Sequence, residues 1–429
     1  MNILVTGATG FIGRHVCAGL ISRGHRLTAA VRDPASAARR FPGIQSTAID
    51  MNGMLTEDDW RPLLAGQDAV VNCAGILQST RHQSAQAIHA TAPRALFEAC
   101  VAAGVRRVVH ISAVSADAAA GTEYALTKKA ADDHLRALDL DWVILRPSLV
   151  YAQGSYGGTS AIRGLAGFPL VIPLPGDGGQ RFQPLHADDL AETVAHCLET
   201  PGLARQTLDP VGPETLTLRQ IVEQTRSWLD LPPARPVQVP QSLLRSLARL
   251  GDILGEGPLR TTALRQLEYG NVSDAAGFER AIGLRPRRMS EAFRSSPSHG
   301  QDRWHARLYF LRPGLTAALS LLWIVSGLVG LLSPPADAQA VIARLGLAGA
   351  AGGVLIVALS LFDIGIGAAL ALSRAWRTIG TLQLGLIAFY TAGLTLLMPE
   401  LWSDPCGPLL KNLPILAAVA VWMAMQDDK

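Results

Sequence analysis

The chain has 429 residues, which is long for a single domain, and only 17% of them are charged. The formal net charge is +3 and no block of Lys and Arg occurs, so we expect no nucleic-acid partner. No CxxC spacing is present, so we expect neither a metal site nor a disulfide framework from the scattered cysteines Cys17, Cys73, Cys100, Cys197 and Cys406.

Residues 1 to about 150 alternate short apolar runs with helical patterns, which is typical of βαβ units that build a parallel sheet. Helices are predicted between the strands, for example at Gly13–Arg23 and Thr91–Ala103. Residues from about 151 to 300 contain more Pro, Gly and charge, and they predict a smaller mixed lobe with helices at Thr217–Leu229 and Pro240–Leu254. The predicted strands are Asn2–Thr6, Arg26–Val31, Ser46–Ile49, Ala69–Cys73, Arg107–Ile111 and Trp142–Arg146.

Residues 301–429 consist mainly of long apolar segments. A helix needs about 20 residues to cross the hydrocarbon core of a bilayer, so these segments are candidate membrane spans. The four predicted spans are Pro313–Leu332, Gly346–Leu372, Ile379–Met398 and Leu413–Met425. The N-terminus has no signal-peptide pattern. By the positive-inside rule, both termini and the first domain are expected in the cytoplasm, with the spans in a bacterial inner membrane. The arginines that set this orientation are Arg303, Arg307, Arg312, Arg374 and Arg377.

One carboxylate, Asp363, interrupts the second predicted span. A charged group at that depth costs about 2.5–3.5 kcal/mol on insertion scales, so it marks a function or a partner. It could bind a polar headgroup or a quinone, or relay a proton. It could equally be a structural hydrogen-bond acceptor within the helix bundle.

A glycine-rich turn, Gly7-Ala8-Thr9-Gly10-Phe11-Ile12-Gly13, follows the first strand and opens the first helix. Gly7 permits a tight turn, Gly10 lets a pyrophosphate approach the main chain, and Gly13 lets the helix pack against the strand. Because the amides at the helix N-terminus face the anion, all seven residues are candidate cofactor contacts. The sequence thus predicts an α/β Rossmann fold over residues 1–300, with a substrate lobe mainly in 151–300, and an all-α four-helix transmembrane domain over 301–429.

The ends of the following strands supply further candidate cofactor contacts. Arg32 directly follows the second strand, where a guanidinium can pair with the extra phosphate of NADP. The adjacent Asp33 could instead bind the ribose hydroxyls of NAD, so NADP is preferred and NAD is the alternative. The third and fourth strands end at the candidates Asp50, Met51, Cys73, Ala74 and Gly75.

Residues 1–290 resemble the extended or atypical, epimerase-like branch of the short-chain dehydrogenase/reductase superfamily. They are also similar to the family of the complex I 39 kDa subunit, which binds NADPH structurally. Residues 301–429 resemble the DoxX-like four-helix membrane module, most specifically at Pro399–Pro414. The segments that carry the first resemblance are Gly7–Gly13, Asn72–Gly75, Tyr124–Lys128, Leu145–Tyr151 and Gln183–Ala191.

Tyr124 and Lys128 are the candidate catalytic pair, and their i, i+4 spacing places them on one helix face. An ammonium group near a phenol stabilises the phenolate, so this tyrosine can exchange a proton with a substrate hydroxyl or carbonyl. Lys128 can also hold the nicotinamide ribose. The resemblance implies a Ser or Thr after the fifth strand that orients the substrate; Ser112 is the first choice and Ser115 the second.

Several further residues border the expected site. The main chain at Pro147 and Val150 could bind the nicotinamide carboxamide, and the glycine-rich loop Ala152–Thr159 could form a lid. His89 stands where many extended family members carry an asparagine, and it either supports a water relay or has no chemical task. Three polar residues either face the substrate or belong to a polar rim: Gln180, Arg181 and His186.

The sequence therefore predicts a membrane-anchored NAD(P)-dependent oxidoreductase or epimerase acting on a small molecule. The membrane module indicates a lipid-like or quinone substrate, but only by proximity. The alternative is a non-catalytic NADPH-binding protein with a structural or redox-sensing role, of the complex I 39 kDa subunit type. In a third hypothesis, the membrane module is the active partner and the Rossmann domain regulates it.

Overall fold

The computed structural model describes residues 1–254, 260–332, 342–343, 346, 349–372, 375–405 and 407–426. Arg374 and Cys406, which the sequence analysis singled out, lie outside these described residues. The chain divides into two compact units, Met1–Ala306 and Arg307–Lys429.

The first unit is built on a parallel sheet of seven strands. They are β1 (Asn2–Thr6), β2 (Arg26–Val31), β3 (Gln45–Ala48), β4 (Ala69–Asn72), β5 (Arg107–Ile111), β6 (Asp141–Leu145) and β11 (Gln206–Leu208). Their order across the sheet is β11-β6-β5-β4-β1-β2-β3, so the winding direction reverses between β1 and β4. Open α/β sheets bind ligands outside the carboxyl ends of the strands at such a switch point.

Helices cover both faces of this sheet, which is why its central strands β4 and β5 are buried along their whole length. One face packs against α1 (Phe11–Ser22), α2 (Pro34–Arg40) and α7 (Ala187–Glu199). The opposite face packs against α3 (Glu57–Leu64), α4 (Ala92–Ala103) and α5 (Glu123–Ala137). The predicted Rossmann fold is confirmed.

The remainder of this unit forms a smaller mixed lobe around a third apolar core. Three short strand pairs belong to it: β7 (Val150–Tyr151) with β10 (Leu185–His186), β8 (Val171–Pro175) with β13 (Arg235–Val239), and β9 (Arg181–Phe182) with β12 (Leu216–Thr217). Its helices are α6 (Gly158–Gly167), α8 (Leu218–Trp228), α9 (Gln241–Leu254), α10 (Thr261–Tyr269), α12 (Met289–Ser295) and α13 (Gly300–Leu308), whereas α11 (Ala275–Ile282) packs against the core of the sheet. The lobe is not continuous in sequence, because α7 and β11 return to the sheet.

The second unit is helical. Three of its described helices are long and apolar enough to cross a membrane: α14 (Leu311–Leu332), Ala350–Leu372 and Trp376–Leu397. The fourth predicted span forms a helix of 13 residues, Asn412–Ala424. At 1.5 Å per residue it is shorter than the about 30 Å of a hydrocarbon core, so the four-span topology stays a prediction.

Small and polar residues join the membrane helices. A Cβ on Gly367 would lie 2.7 Å from the carbonyl oxygen of Ser320, so glycine allows the two backbones to approach closely. Trp323 Nε1 donates a hydrogen bond of 2.9 Å to the buried Gln383 Oε1. The Oδ1 atom of Asp363 is buried and has no hydrogen-bond partner among the described residues.

Candidate active site

At two positions of the glycine-rich turn, Gly7 and Gly13, the structure leaves no room for a side chain. Gly7 has φ of +66°, and a Cβ there would lie 2.8 Å from the backbone nitrogen of Ala74. A Cβ on Gly13 would overlap the carbonyl oxygen of Gly7. Gly10 caps α1 without a side-chain hydrogen bond, so amides of the first turn remain available to an anion. This cradle fits the pyrophosphate of a dinucleotide.

The end of β2 presents an exposed guanidinium and a carboxylate that caps the next helix. Arg32 is exposed, whereas Asp33 caps α2 by accepting a hydrogen bond of 3.0 Å from the backbone N–H of Ser36. The first turn of α1 carries a second basic residue, Arg14, which the sequence analysis did not single out. Burial and the neighbouring Arg40 lower the pKa of Arg14.

The remaining predicted cofactor contacts lie at the ends of β3 and β4. Asp50 is exposed and its Oδ1 accepts a hydrogen bond of 3.0 Å from the backbone of Asn52, while Met51 is buried. Cys73, Ala74 and Gly75 are the three residues that follow β4. A Cβ on Gly75 would lie 3.4 Å from Lys128 Nζ. The loop after β4 therefore connects the glycine-rich turn to the candidate catalytic helix.

Lys128 is deeply buried in the middle of this arrangement. Its Nζ donates a hydrogen bond of 2.8 Å to the carbonyl oxygen of Ile111, at the end of β5. Burial lowers the pKa of Lys128 to about 8, although Asp132 and Cys73 act in the opposite direction. The ammonium group therefore lies at the carboxyl edge of the sheet, and it is protonated at neutral pH.

Tyr124 is half-buried in the first turn of α5, which begins after the cap residue Thr122. Burial, assisted by the negative charge of Asp132, raises the pKa of Tyr124 to about 12. The phenol therefore keeps its proton at neutral pH. Stabilisation of a Tyr124 phenolate by Lys128 stays a prediction.

Asp132 is a central residue that the sequence analysis missed. It lies one turn beyond Lys128 on α5, is fully buried, and its Oδ2 is 2.8 Å from Arg146 Nε and 2.7 Å from Arg146 Nη2. Its Oδ1 is 3.6 Å from Nε2 of the buried His110. Burial raises the pKa of Asp132 despite the arginine beside it. The spacing i, i+4, i+8 from Tyr124 was the available signal.

His110 lies between the Asp132 carboxylate and Asn72, at the carboxyl end of β4. Asn72 Oδ1 accepts from Thr6 Oγ1 at 2.6 Å, which leaves the Asn72 amide to donate to His110 Nδ1 at 3.1 Å. His110 therefore carries its proton on Nε2, toward Asp132. Burial holds the pKa of His110 well below its usual range, so the ring is neutral.

Ser112 occupies the expected position after β5. It is buried, and its Oγ has no hydrogen-bond partner among the described residues, although it is close enough to Asp132 to lower the pKa of that carboxyl. Ser115, the second choice, is also buried. The Ser112 hydroxyl therefore lies beside the buried Asp132 carboxyl, and its role toward a substrate oxygen stays a prediction.

His89 has both ring nitrogens engaged, in a π-helical turn before α4. Its Nε2 accepts a hydrogen bond of 2.9 Å from the backbone N–H of Ile76, and Nδ1 is 3.0 Å from Thr127 Oγ1. Thr127 in turn donates to the carbonyl of Glu123 at 2.7 Å, so Nδ1 carries the proton. Burial lowers the pKa of His89 to about 2. These contacts favour a structural role over a relay.

The segments beyond β6 lie between the sheet and the lobe. The carbonyl of Pro147 accepts from Val114, and Val150 pairs with Leu185 in the β7–β10 ladder. In the loop Ala152–Thr159, the ring of Tyr156 stacks on Phe11 of the glycine-rich turn, with centroids 6.5 Å apart. That contact brings the loop beside the first residue of α1, and its role as a lid stays a prediction.

Gln180, Arg181 and His186 have different surroundings in the structure. His186 caps α7, accepting from the backbone N–H of Asp188 at 3.2 Å, and packs edge-on against Tyr151. Gln180 donates to the carbonyl of Pro175, and Arg181 is exposed. His186 therefore has a packing role.

Comparison with known proteins follows the same division into units. Residues 7–201 match a family described as NAD(P)H-binding, and residues 320–420 match the DoxX-like family. The chain is 28% identical over 221 residues to a ceramide reductase of Caulobacter vibrioides, which covers 51% of this chain and 68% of the relative.

Two further similarities concern the first unit. The chain is 24% identical over 261 residues to the mitochondrial NADH dehydrogenase [ubiquinone] 1 alpha subcomplex subunit 9 of Arabidopsis thaliana, covering 58% of this chain and 63% of the relative. The structure of MoeE5 in complex with UDP-glucose and NAD superimposes with a TM-score of 0.53 and 21% identity, over 72% of this chain and 99% of that chain. That likeness shows the fold alone.

These matches confirm the predicted resemblances. The chain combines an NAD(P)-binding, epimerase-like domain of the short-chain dehydrogenase/reductase type with a C-terminal DoxX-like domain. Homologues of the complex I 39 kDa subunit type are among its relatives.

Proposed function

We propose that this protein is a membrane-anchored, NADPH-dependent reductase that converts a carbonyl group of a lipid-like substrate into an alcohol. The observation that supports it best is the pairing, on one face of α5, of a protonated Tyr124 with a buried Lys128 ammonium group. A raised phenol pKa suits an acid that gives up a proton during reduction, rather than a base that removes one.

In the proposed reaction, a bound NADPH supplies the hydride that reaches the carbonyl carbon. Tyr124 donates its proton to the carbonyl oxygen as negative charge develops there. Lys128 stabilises the resulting phenolate, because its ammonium group is held in a low-dielectric site. Ser112, whose buried hydroxyl follows β5, orients the substrate oxygen. Solvent then returns a proton to Tyr124.

The preference for NADPH rests on the charges around the end of β2. Asp33 is partly engaged, because its Oδ1 accepts the cap hydrogen bond of α2 and its Oδ2 is 3.9 Å from Arg39 Nη2. Arg32 is exposed at the position where a guanidinium meets the extra phosphate. Arg14 adds a second positive charge at the start of α1. Gly7–Gly13 would hold the pyrophosphate and Lys128 the nicotinamide ribose.

The proposal of a lipid-like substrate rests on two observations. Helices able to cross a bilayer follow the reductase unit directly in the chain. A relative of 28% identity is named a ceramide reductase, and its substrate class is compatible with a membrane-bound enzyme. A quinone is the second substrate class to be tested.

A non-catalytic NADPH-binding role is the second candidate function. It is favoured by the similarity to a complex I subunit. In that case the cofactor would stabilise the fold or report the redox state.

The two functions are separated by purifying the full chain in a mild detergent and measuring NADPH binding and oxidation with long-chain ketones, aldehydes and quinones. Reduction predicts that Tyr124→Phe lowers the turnover number by about 10²–10⁴-fold while NADPH still binds. The control is Tyr269→Phe, which removes an exposed hydroxyl and should leave turnover unchanged. Tight NADPH binding without turnover by any of these substrates would establish the non-catalytic function.

Cofactor preference is tested with Arg32→Ala. Loss of one charge-assisted hydrogen bond is worth about 1.5–3 kcal/mol, so NADPH affinity should fall about tenfold to a hundredfold. NADH affinity should not change. An equal loss for both cofactors would reject the phosphate assignment.

A further inference from the structure

The first turn of α5 carries Tyr124, so the order of this turn matters for the proposed proton transfer. Tyr124 is the second helical residue after the cap Thr122, whereas Lys128 lies one turn further inside the helix. The first amides of a helix have no partners within it, and terminal turns open more readily than helix interiors. The position of Tyr124 therefore depends on the cap of α5 more than the position of Lys128 does.

The cap is a buried hydroxyl that accepts two hydrogen bonds, one for each of its lone pairs. Thr122 Oγ1 accepts a hydrogen bond of 3.2 Å from the backbone N–H of Ala125. It also accepts a hydrogen bond of 2.5 Å from Nε2 of Gln266, and both side chains are buried. Water cannot readily replace a partner at a buried site, so the amide of Gln266 helps to hold the hydroxyl that orders the turn of Tyr124.

Gln266 belongs to α10, and α10 is fixed to other elements of the lobe. Directly after this helix, the backbone N–H of Asn271 donates a hydrogen bond of 3.0 Å to the carbonyl of Arg181 in β9. Within the helix, Leu264 packs against Leu244 of α9. The hydrogen bond between Gln266 and Thr122 therefore joins the lobe to the helix that carries the candidate catalytic pair.

A second set of contacts connects α10 to the same end of α5. Nη1 of Arg260, the cap residue of α10, donates a hydrogen bond of 3.0 Å to the carbonyl of Ser79 in the loop after β4. The hydroxyl of Ser79 in turn lies 3.0 Å from each carboxylate oxygen of Glu123, the first residue of α5. Helix α10 also packs against the turn Ala118–Ala120, which precedes α5. The lobe thus contacts the start of α5 through several residues.

We propose that Gln266 is a positioning residue for Tyr124, because its hydrogen bond to Thr122 keeps the first turn of α5 in the geometry that proton transfer requires. The inference rests on the proposed reduction and adds the way in which the lobe controls it. A displacement of about 1 Å at a reacting group can lower a rate by about 10²-fold, so disorder in this turn should lower turnover. Lys128 is held separately by the carbonyl of Ile111, so cofactor binding should not change.

The test compares the wild-type full chain with Gln266→Met, both purified in a mild detergent. Methionine has a similar length and volume but cannot donate to the hydroxyl of Thr122. Steady-state reduction of long-chain ketones and aldehydes gives kcat and KM, and a fluorescence titration gives the affinity for NADPH. Hydrogen exchange followed by mass spectrometry reports on the peptide that contains Thr122–Lys128, without substrate or cofactor.

Gln266→Met should lower kcat about tenfold and leave KM and the affinity for NADPH unchanged. The amides of the α5 peptide should exchange about two- to tenfold faster, which is the factor that corresponds to one hydrogen bond. Gln266→Asn keeps the amide but shortens the side chain, and it replaces Gln266→Met if that variant does not fold. The matched control is Arg265→Met at the adjacent exposed position of α10, which should behave like the wild type.

A double-mutant cycle shows whether Gln266 acts through the cap. Thr122→Val removes the same hydrogen bond from the other side, so Gln266→Met should have little further effect on kcat in that background, whereas in Thr122→Ser, which keeps the hydroxyl, it should retain its full effect.

Unchanged exchange in the α5 peptide would overturn the inference, as would faster exchange without a loss of kcat. Additive losses of kcat in Gln266→Met and Thr122→Val would also overturn it, because Gln266 would then act through another contact. If the wild type reduces none of the carbonyl substrates, the proposed function fails instead, and hydrogen exchange alone decides whether Gln266 holds the turn.

Discussion

Replacing Lys128 by methionine should remove a charge that the fold accommodates at a thermodynamic cost. The side chain is 4% exposed, and burial lowers its pKa from 10.5 to about 8. One pKa unit corresponds to about 1.4 kcal/mol. The shift therefore means that protonated Lys128 lowers the free energy of unfolding by about 3 kcal/mol.

The sign follows from proton binding. Because the pKa of Lys128 is lower in the folded protein, the unfolded chain binds more protons between about pH 8 and pH 10.5. The free energy of unfolding of the wild-type protein should therefore rise across this window, by about 3 kcal/mol from this group. Lys128→Met lacks the group, so its stability relative to wild type should be highest below pH 8 and decline toward pH 10.5.

A second effect changes the difference in free energy of unfolding between Lys128→Met and wild type by the same amount at every pH. Methionine cannot donate to the carbonyl of Ile111, and leaving that buried acceptor without a partner costs about 1–3 kcal/mol at every pH. The pH dependence of the difference between variant and wild type is therefore the decisive quantity, rather than its value at one pH.

The assay is urea unfolding of the full chain in a mild detergent, without cofactor, at a series of pH values. Tryptophan emission reports on the sheet domain through the buried Trp60 and Trp142. Lys129→Met is the matched control, because Lys129 is the adjacent lysine on α5, with a side chain 38% exposed and paired with Asp133. If Lys128→Met and wild type show the same pH dependence, the argument from burial is refuted.

Three other predictions concern the fold and topology. Arg146→Leu leaves the buried Asp132 unpaired and should lower the free energy of unfolding by about 3–5 kcal/mol, whereas the double variant with Asp132→Leu should recover most of the loss in urea unfolding. Gly7→Ala should weaken NAD(P)H binding in a fluorescence titration by more than Gly24→Ala; both have positive φ, at a cost of about 1–2 kcal/mol, but only Gly7 has backbone atoms in the way. A topology reporter fused after Lys429 should be cytoplasmic if Asn412–Ala424 completes a fourth span, and a reporter outside the cytoplasm would contradict that topology.

The sheet was largely predictable, because strands buried on both faces are recognisable as apolar runs. Six of the predicted strands lie within one residue of the observed ends, as for Asp141–Leu145 against the predicted Trp142–Arg146. The seventh strand, Gln206–Leu208, was missed. It is short, only Leu208 in it is buried, and its place beside β6 depends on the chain returning to the sheet after α7.

The candidate site was predictable only where its residues are close in sequence. The i, i+4 spacing revealed Tyr124 and Lys128, and the glycines revealed the cofactor turn. Asp132, His110 and Asn72 come from a helix and two strands, and their contacts exist only after the sheet has formed. The raised pKa of Tyr124 could not be predicted for the same reason, since desolvation depends on how deeply α5 packs.

The buried polar groups of this site differ in how they affect the fold. Hydrogen bonds link Thr6, Asn72 and His110 across the carboxyl edge of the sheet, so loss of Asn72 leaves both neighbours without that partner. Lys128 is the exception, because its charge is held there against desolvation with only partial compensation from Asp132. A fold under selection for stability alone has no reason to retain such a group, whereas a proton-transfer site does. The position of this lysine, beside a protonated tyrosine and at the edge that receives the cofactor, therefore favours catalysis over a purely structural use of the nucleotide.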